Sequence, residues 1–153
     1  MELKENYLEV LGAVALVNML GVLASMFGMP GAWYQSLAKP AFTPPNYLFP
    51  IAWTVLYSLI GVSGYIAYKQ DFSSEAKTLF VVQLAANLLW TPVFFGLQSP
   101  LYGLVVISVL VVSLIVTIKK FYEENPLSAY LLLPYLVWVL YAAYLNASIY
   151  LLN

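Results

Sequence analysis

The chain has 153 residues, of which 63% are hydrophobic and only 8% charged, with a net charge of -1. A water-soluble domain carries about a quarter charged residues, so most of this surface is built to meet lipid. There is no His, Arg or Cys, which excludes disulfides, thiolate chemistry, zinc sites and imidazole-ligated haem iron, and no basic stretch beyond Lys119 and Lys120 offers a footprint for nucleic acid.

A hydrocarbon core about 30 Å thick needs about 20 apolar residues of helix, and the pattern predicts an all-α membrane protein, one domain over 1–153, with five spans. The first, 9–27, has a mixed flank (Glu2, Lys4, Glu5, Glu9) and too long an apolar run for a signal peptide, so it is expected to be retained. It carries Asn18 and a small-residue pair, Gly21 and Ser25, with Gly28 near the same face; these permit close packing inside the protomer or across a dimer. The long connection 29–46 contains Pro30, Pro40, Pro44 and Pro45, so it reads as a structured cap, with room for a short helix over 31–38. It also holds Trp33, Tyr34, Lys39 and Phe42. The second span, 47–68, places Trp53, Tyr57, Gly61 and Gly64 at offsets 0, 4, 8 and 11. The third, 76–97, places Gln83, Asn87, Trp90 and Phe94 at 0, 4, 7 and 11, one face with two amides and two rings. The fourth is 101–121. The fifth, 127–152, gives Trp138, Tyr141, Ala142 and Leu145 at 0, 3, 4 and 7, followed by Asn146.

The links 70–75, 98–100 and 122–126 are short, which predicts that sequential helices lie side by side and antiparallel. Lys4, Lys69, Lys77, Lys119 and Lys120 fall on the amino-terminal side against Lys39 alone on the other; this asymmetry predicts a cytoplasmic N-terminus.

Each polar or aromatic position has a bland reading. Amides within lipid serve as interhelical glue, aromatic stripes as packing or an interfacial belt, and Lys39 as a snorkelling lysine. Three stripes on three helices, each pairing rings with small or amide residues, shift the balance toward a cavity for a flat apolar ligand with a few polar groups. Lys39, the one charge on its side, is the natural partner for an anionic group on that ligand.

These residues resemble the translocator proteins, also called tryptophan-rich sensory proteins or the peripheral benzodiazepine receptor family. The resemblance covers nearly the whole chain and rests on three motifs. Trp33-Tyr34, Leu37, Lys39-Pro40 and Thr43-Pro44-Pro45, leading to Pro50 and Trp53, are similar to the family's first loop. Asn87, Leu88, Trp90, Pro92, Phe94, Phe95 and Gly96 are similar to its third-helix signature, and Pro134-Tyr135, Trp138, Tyr141-Ala142 and Leu145-Asn146 to its fifth. The resemblance implies a five-helix bundle, commonly a homodimer, that binds porphyrins and isoquinoline or benzodiazepine ligands under the first loop. The implied pocket is Tyr34, Pro44, Trp53, Tyr57, Asn87, Trp90, Trp138, Ala142 and Leu145; the residue pattern adds Lys39, Gln83, Phe94 and Asn146. Two departures matter. Phe42 stands where the family usually has another Trp, and nothing after Lys120 is basic, so the family's sterol consensus late in the fifth helix fails.

The expected function is a membrane receptor for tetrapyrroles, with Trp53 and Trp138 flanking the ring and no resident cofactor or metal. Without His, Cys or an evident thioether partner, metal-free porphyrin should compete well with haem. A second reading is light-dependent porphyrin breakdown, which the resemblance associates with the tryptophans at Trp53 and Trp138. A third is a tetrapyrrole or lipid carrier, ranked low because the spans hold no buried carboxylate and show no inverted repeat.

Overall fold

The structure, a computed structural model, describes residues 6–153; Glu2, Lys4 and Glu5, used above to read the first flank, lie outside the described residues. Five long helices carry the apolar spans: α1 (Tyr7–Ser25), α3 (Leu48–Lys69), α4 (Ser74–Thr91), α5 (Pro100–Glu124) and α6 (Pro126–Leu152), while a short α2 (Ala32–Ser36) sits in the connection after α1. All five are long and apolar enough to cross a bilayer. Their outer faces show Leu8, Leu11, Met19, Val105 and Val112 more than half exposed. Such a surface is stable only against lipid.

The helix starts are set by short-range chemistry. The Ser73 hydroxyl accepts from the Ala76 amide, Ser99 from Tyr102, and the Asn125 side chain from Leu127; Pro100 and Pro126 occupy first-turn positions where no N–H is needed. The α3–α4 link turns through Asp71 at φ 50 and the link before α5 through Gln98 at φ 53.

Around the bundle, α1 packs on α3, α3 on α6, α6 on α5 and α5 on α4, and α4 closes only thinly on α1. Sequential helices are therefore neighbours for α4–α5 and α5–α6 but hardly touch for α3–α4, despite the short link. The cause lies in that link. Phe72 is buried edge-on against Phe121 of α5, with centroids 5.1 Å apart, and the backbone N–H and hydroxyl of Ser73 donate to the Glu124 carboxylate, at 2.9 and 2.6 Å. The chain is thus carried across to α5 before α4 begins.

The end of the bundle holding Lys69, Lys77 and Lys120 is filled along its axis by rings and small residues, although an open groove of about 560 Å³ runs between α1, α3 and α4 on its outside. Phe80 stacks on Phe121 at 5.6 Å, the Ser63 hydroxyl donates to the Ser128 carbonyl at 2.8 Å, and Gly61 lets the α1 backbone approach so closely that a Cβ would lie 2.8 Å from the Val14 Cα. Ion pairs Lys69–Glu9 (2.8 Å), Lys77–Asp71 (2.5 Å) and Lys120–Glu75 (3.2 Å) rim this charged end. The opposite, loop end is more open.

A ligand cavity under the loop

At the loop end, α1, α3, α4 and α6 surround a cavity of about 420 Å³ beneath α2. That volume lies in the range of small-molecule sites. Trp53 of α3 and Trp138 of α6 both line it, with Tyr57 on the floor, Trp90 on the α4 side, Ala142 opposite, and Tyr34 of α2 above. Trp53 stacks on Tyr57 with centroids 5.1 Å apart, and Trp138 is held edge-on by Phe49 at 6.1 Å and Tyr141 at 6.0 Å. The two indoles are therefore braced by other rings while still facing shared space. Two other depressions, one along α5 and α6 and one between α1, α3 and α4 at the charged end, are more open grooves on the surface.

The polar residues named from sequence sit around this cavity in a different way from the rings. Asn87 is buried on α4 and its carbonyl oxygen accepts from the Tyr57 hydroxyl at 2.9 Å, so its side chain holds the floor. Asn146 is also buried; it accepts from the Trp90 indole N–H at 3.0 Å and donates to the Pro100 carbonyl at 2.8 Å. It positions a ring of the cavity without reaching the space. Gln83 is fully buried one turn below Asn87, and Leu145 is buried in α6; neither lines the cavity.

Phe94 requires a correction with a physical reason. Pro92 has no N–H, and from Pro92 to Gly96 the chain winds as a π-helical turn, the Leu97 N–H donating to the Pro92 carbonyl at 2.9 Å. The wider turn advances the face by about one residue. Phe95 consequently lines the cavity in the place that α-helical spacing gave to Phe94. Phe94 is instead buried, stacked on Trp90 at 5.0 Å and edge-on to Trp33 at 5.7 Å.

Lys39 and Pro44 belong to the cap and do not line the cavity. The Lys39 ammonium donates to the Leu37 and Gln35 carbonyls at 3.1 and 3.4 Å and lies 4.6 Å above the Tyr34 ring. It closes the C-terminus of α2 and presses on the cavity's roof. Burial, and to a smaller extent Tyr141, pushes the Tyr34 phenol above its ordinary range, so this roof residue stays neutral. Asn153 clasps the cap at both backbone groups of one residue: its oxygen accepts from the Ala38 N–H at 2.9 Å and its nitrogen donates to the Ala38 carbonyl at 3.1 Å. The Tyr141 hydroxyl fastens the cap again through the Phe42 carbonyl.

The contribution of α1 was only half legible in the sequence. Asn18, Gly21, Val22 and Ser25 all line the cavity. The small pair Gly21 and Ser25 is used inside the protomer, since a Cβ at Gly21 would fall 2.1 Å from the Tyr57 ring; likewise one at Gly28 would fall 2.8 Å from the Thr91 carbonyl oxygen. Met29 brings a thioether to the cavity wall, a feature the residue pattern did not mark.

Comparison with known proteins agrees with this architecture. The TspO/MBR family profile matches residues 13–152. The chain is 46% identical to the tryptophan-rich protein TspO of Archaeoglobus fulgidus, covering 97% of this chain and 99% of that one. It is 39% identical to protein CrtK of Rhodobacter capsulatus, over 87% and 85% of the two chains, and 34% identical to the translocator protein of Sus scrofa, over 94% and 89%. With its five apolar helices and a family match running almost from end to end, this integral membrane protein belongs to the TspO/MBR family.

Proposed function

We propose that this protein is a membrane receptor for tetrapyrroles, protoporphyrin IX being the type ligand, with isoquinoline- and benzodiazepine-like molecules sharing the site. The observation that carries the reading is that Trp53 and Trp138, from helices not adjacent in sequence, border one cavity. A flat ring between or against them gains about 1–3 kcal/mol for each stacking contact, by analogy with bases on aromatic side chains. Asn18 and Thr54 supply polar groups on the wall. A porphyrin carboxylate would draw Lys39 away from the Leu37 and Gln35 carbonyls, so stacking, more than charge, carries affinity. With no His or Cys in the chain, a haem iron has only the Met29 thioether to gain among the softer donors.

The family's names, tryptophan-rich sensory protein and translocator protein, fit a ligand-reporting role at a membrane. The distribution of lysines favours a cell-membrane protein with its N-terminus in the cytoplasm, and a homodimer is the assembly proposed with it. A second reading, light-driven porphyrin breakdown, is favoured by the same geometry: the excited ring would sensitise dioxygen beside two oxidisable indoles.

The test is a protoporphyrin IX titration of the purified protein in detergent, read by quenching of tryptophan fluorescence in darkness and then under light. Saturable quenching is expected, weakened about tenfold by Trp53→Ala or Trp138→Ala, which corresponds to about 1.4 kcal/mol. Absence of saturation, or unchanged affinity in both variants, overturns the receptor reading. A new absorbing product in light that Trp53→Phe and Trp138→Phe abolish favours the second.

A further inference from the structure

On the outside of the charged end, α5 and α6 leave between them a groove of about 380 Å³. Helical spacing puts Ile115, Ile118, Lys119 and Tyr122 on one face of α5, and Ala129, Tyr130 and Leu133 of α6 form the other side. Ala129 is the buried floor, while Ile115 and Leu133 stay nearly half exposed to lipid. Nearer the α5–α6 turn the two phenols meet edge-on, with centroids 5.9 Å apart and their hydroxyls together. From Ile115 to Tyr122 the groove runs about 10 Å along α5. It is apolar toward the membrane centre and ends in hydroxyls and an ammonium.

That ammonium is the odd one among the charges. Every other charged side chain of the described residues is answered within the protein: Lys69 by Glu9, Lys77 by Asp71, Lys120 by Glu75 and Glu123, Glu124 by Ser73, and Lys39 by backbone carbonyls. Lys119 is exposed and makes neither an ion pair nor a hydrogen bond with any described residue. Five residues before the end of α5, it stands at headgroup depth, where a lysine lays its stem along apolar surface and reaches outward with its charge. A cation without a countercharge beside two hydroxyls that can donate fits a phosphate, and the apolar groove leading away from it fits a hydrocarbon chain. A phospholipid carries both on one molecule. Glu123 lines the same groove but faces Lys120 at 3.7 Å, and an ammonium-bearing headgroup would set a second cation against Lys119, so a headgroup with net negative charge matches better. We infer that the α5–α6 groove is a site for an acidic phospholipid. Its phosphate lies against Lys119, Tyr122 and Tyr130, and one acyl chain lies between Ile115, Ile118 and Leu133.

The experiment uses the full chain in an uncharged detergent without porphyrin, so its outcome is separate from the receptor reading. Bound lipid is counted by native mass spectrometry, and the thermal midpoint is followed as phosphatidylglycerol, phosphatidylcholine or phosphatidylethanolamine is added. At about ten times its dissociation constant, phosphatidylglycerol should raise the midpoint by about 3–5 °C, and the other two by less than about 1 °C. Lys119→Gln should weaken phosphatidylglycerol binding about tenfold. Lys77→Gln removes the same charge at the same end from an exposed ion pair, and binding should stay within about twofold. Leu133→Trp fills the groove with Lys119 intact and should abolish retention of the lipid. Lys119 and Leu133 are both exposed, so these variants should fold, and the lipid count does not depend on the midpoint. Inorganic phosphate, which has no chain, should give no shift. Equal shifts from the three lipids, equal losses in Lys119→Gln and Lys77→Gln, full retention in Leu133→Trp, or the same gain from inorganic phosphate would each overturn the proposal.

Discussion

The two ends of the bundle use the same five helices and the same kinds of residue, yet one is filled along its axis, with only an open groove outside, and the other surrounds a cavity. At the charged end, Gly61 brings the α1 and α3 backbones together and Phe72, Phe80 and Phe121 fill the middle. At the loop end, the large side chains brace each other at the wall: Trp53 on Tyr57, Trp138 on Phe49, Trp90 on Phe94. Tyr57 takes the space opposite Gly21. Aromatic content therefore does not decide whether a bundle is full. What decides it is whether the rings meet across the axis or stack along the wall.

The comparison breaks most severely at Phe121, which has no exposed surface and touches two other rings. Phe121→Ala should cost about 3–5 kcal/mol of stability, the usual range for emptying a buried phenylalanine site. Because the damage lies at the far end, ligand affinity in the surviving folded protein should stay within about twofold. Chemical denaturation in mixed micelles paired with a porphyrin titration measures both. A large loss of affinity at unchanged stability would show that the two ends are not separate regions.

The loop end should answer in the opposite sense. A methyl group at Gly21 would overlap the Tyr57 ring, and that ring can yield only into the cavity, releasing its hydrogen bond to Asn87. Gly21→Ala should therefore weaken a ring-shaped ligand about tenfold, equivalent to about 1.4 kcal/mol, and lower stability by about 1–3 kcal/mol, less than Phe121→Ala. Restoration of affinity by a second change, Tyr57→Phe, would not be expected, since the overlap is with ring carbons. Tyr57→Leu, which retreats from the α1 side, should restore part of it.

Much of this division was legible in the sequence, for reasons that can be named. The five spans follow from hydropathy because lipid forces every backbone group to bond internally. The indole positions follow from helical spacing, which holds wherever the helix is regular. Spacing failed at Phe94 because Pro92 converts the next turn to a π-helix, and a proline's effect on winding is not contained in offsets counted on a uniform helix. Neighbour order failed at α3–α4 because the link's own residues, Phe72 and Ser73, dock on α5. The amides were singled out as candidates for ligand contact, and two of them, Asn87 and Asn146, hold side chains of the wall; residue type alone does not say which partner an amide finds. The stripe Asn18, Gly21 and Ser25 on α1 was visible, but its meaning depended on the ring of Tyr57 opposite it.

The smallest expected effect lies at the charged end. Asp71 stands in the left-handed turn before α4, and its hydrogen bond to the Lys77 ammonium, with the accompanying charge attraction, holds its carboxyl below the usual carboxylate range. A carboxyl depressed in the folded state contributes stability that is fully present above its unfolded value, near 3.9, and is lost as pH falls through the folded value. The group is fully exposed, so solvent screens the pair and the effect is slight. The expected outcome is a thermal midpoint in detergent that falls a little more steeply below about pH 4 in the native chain than in Asp71→Asn, with the two curves parallel above about pH 5. The Phe72 contact with Phe121, which involves no titrating group, keeps the link docked on α5 across that range, and porphyrin affinity at the loop end should be the same in both proteins. A pH-dependent difference in affinity between them would mean that the turn at Asp71 is felt across the full thickness of the bundle, and the separation of the two ends would have to be given up.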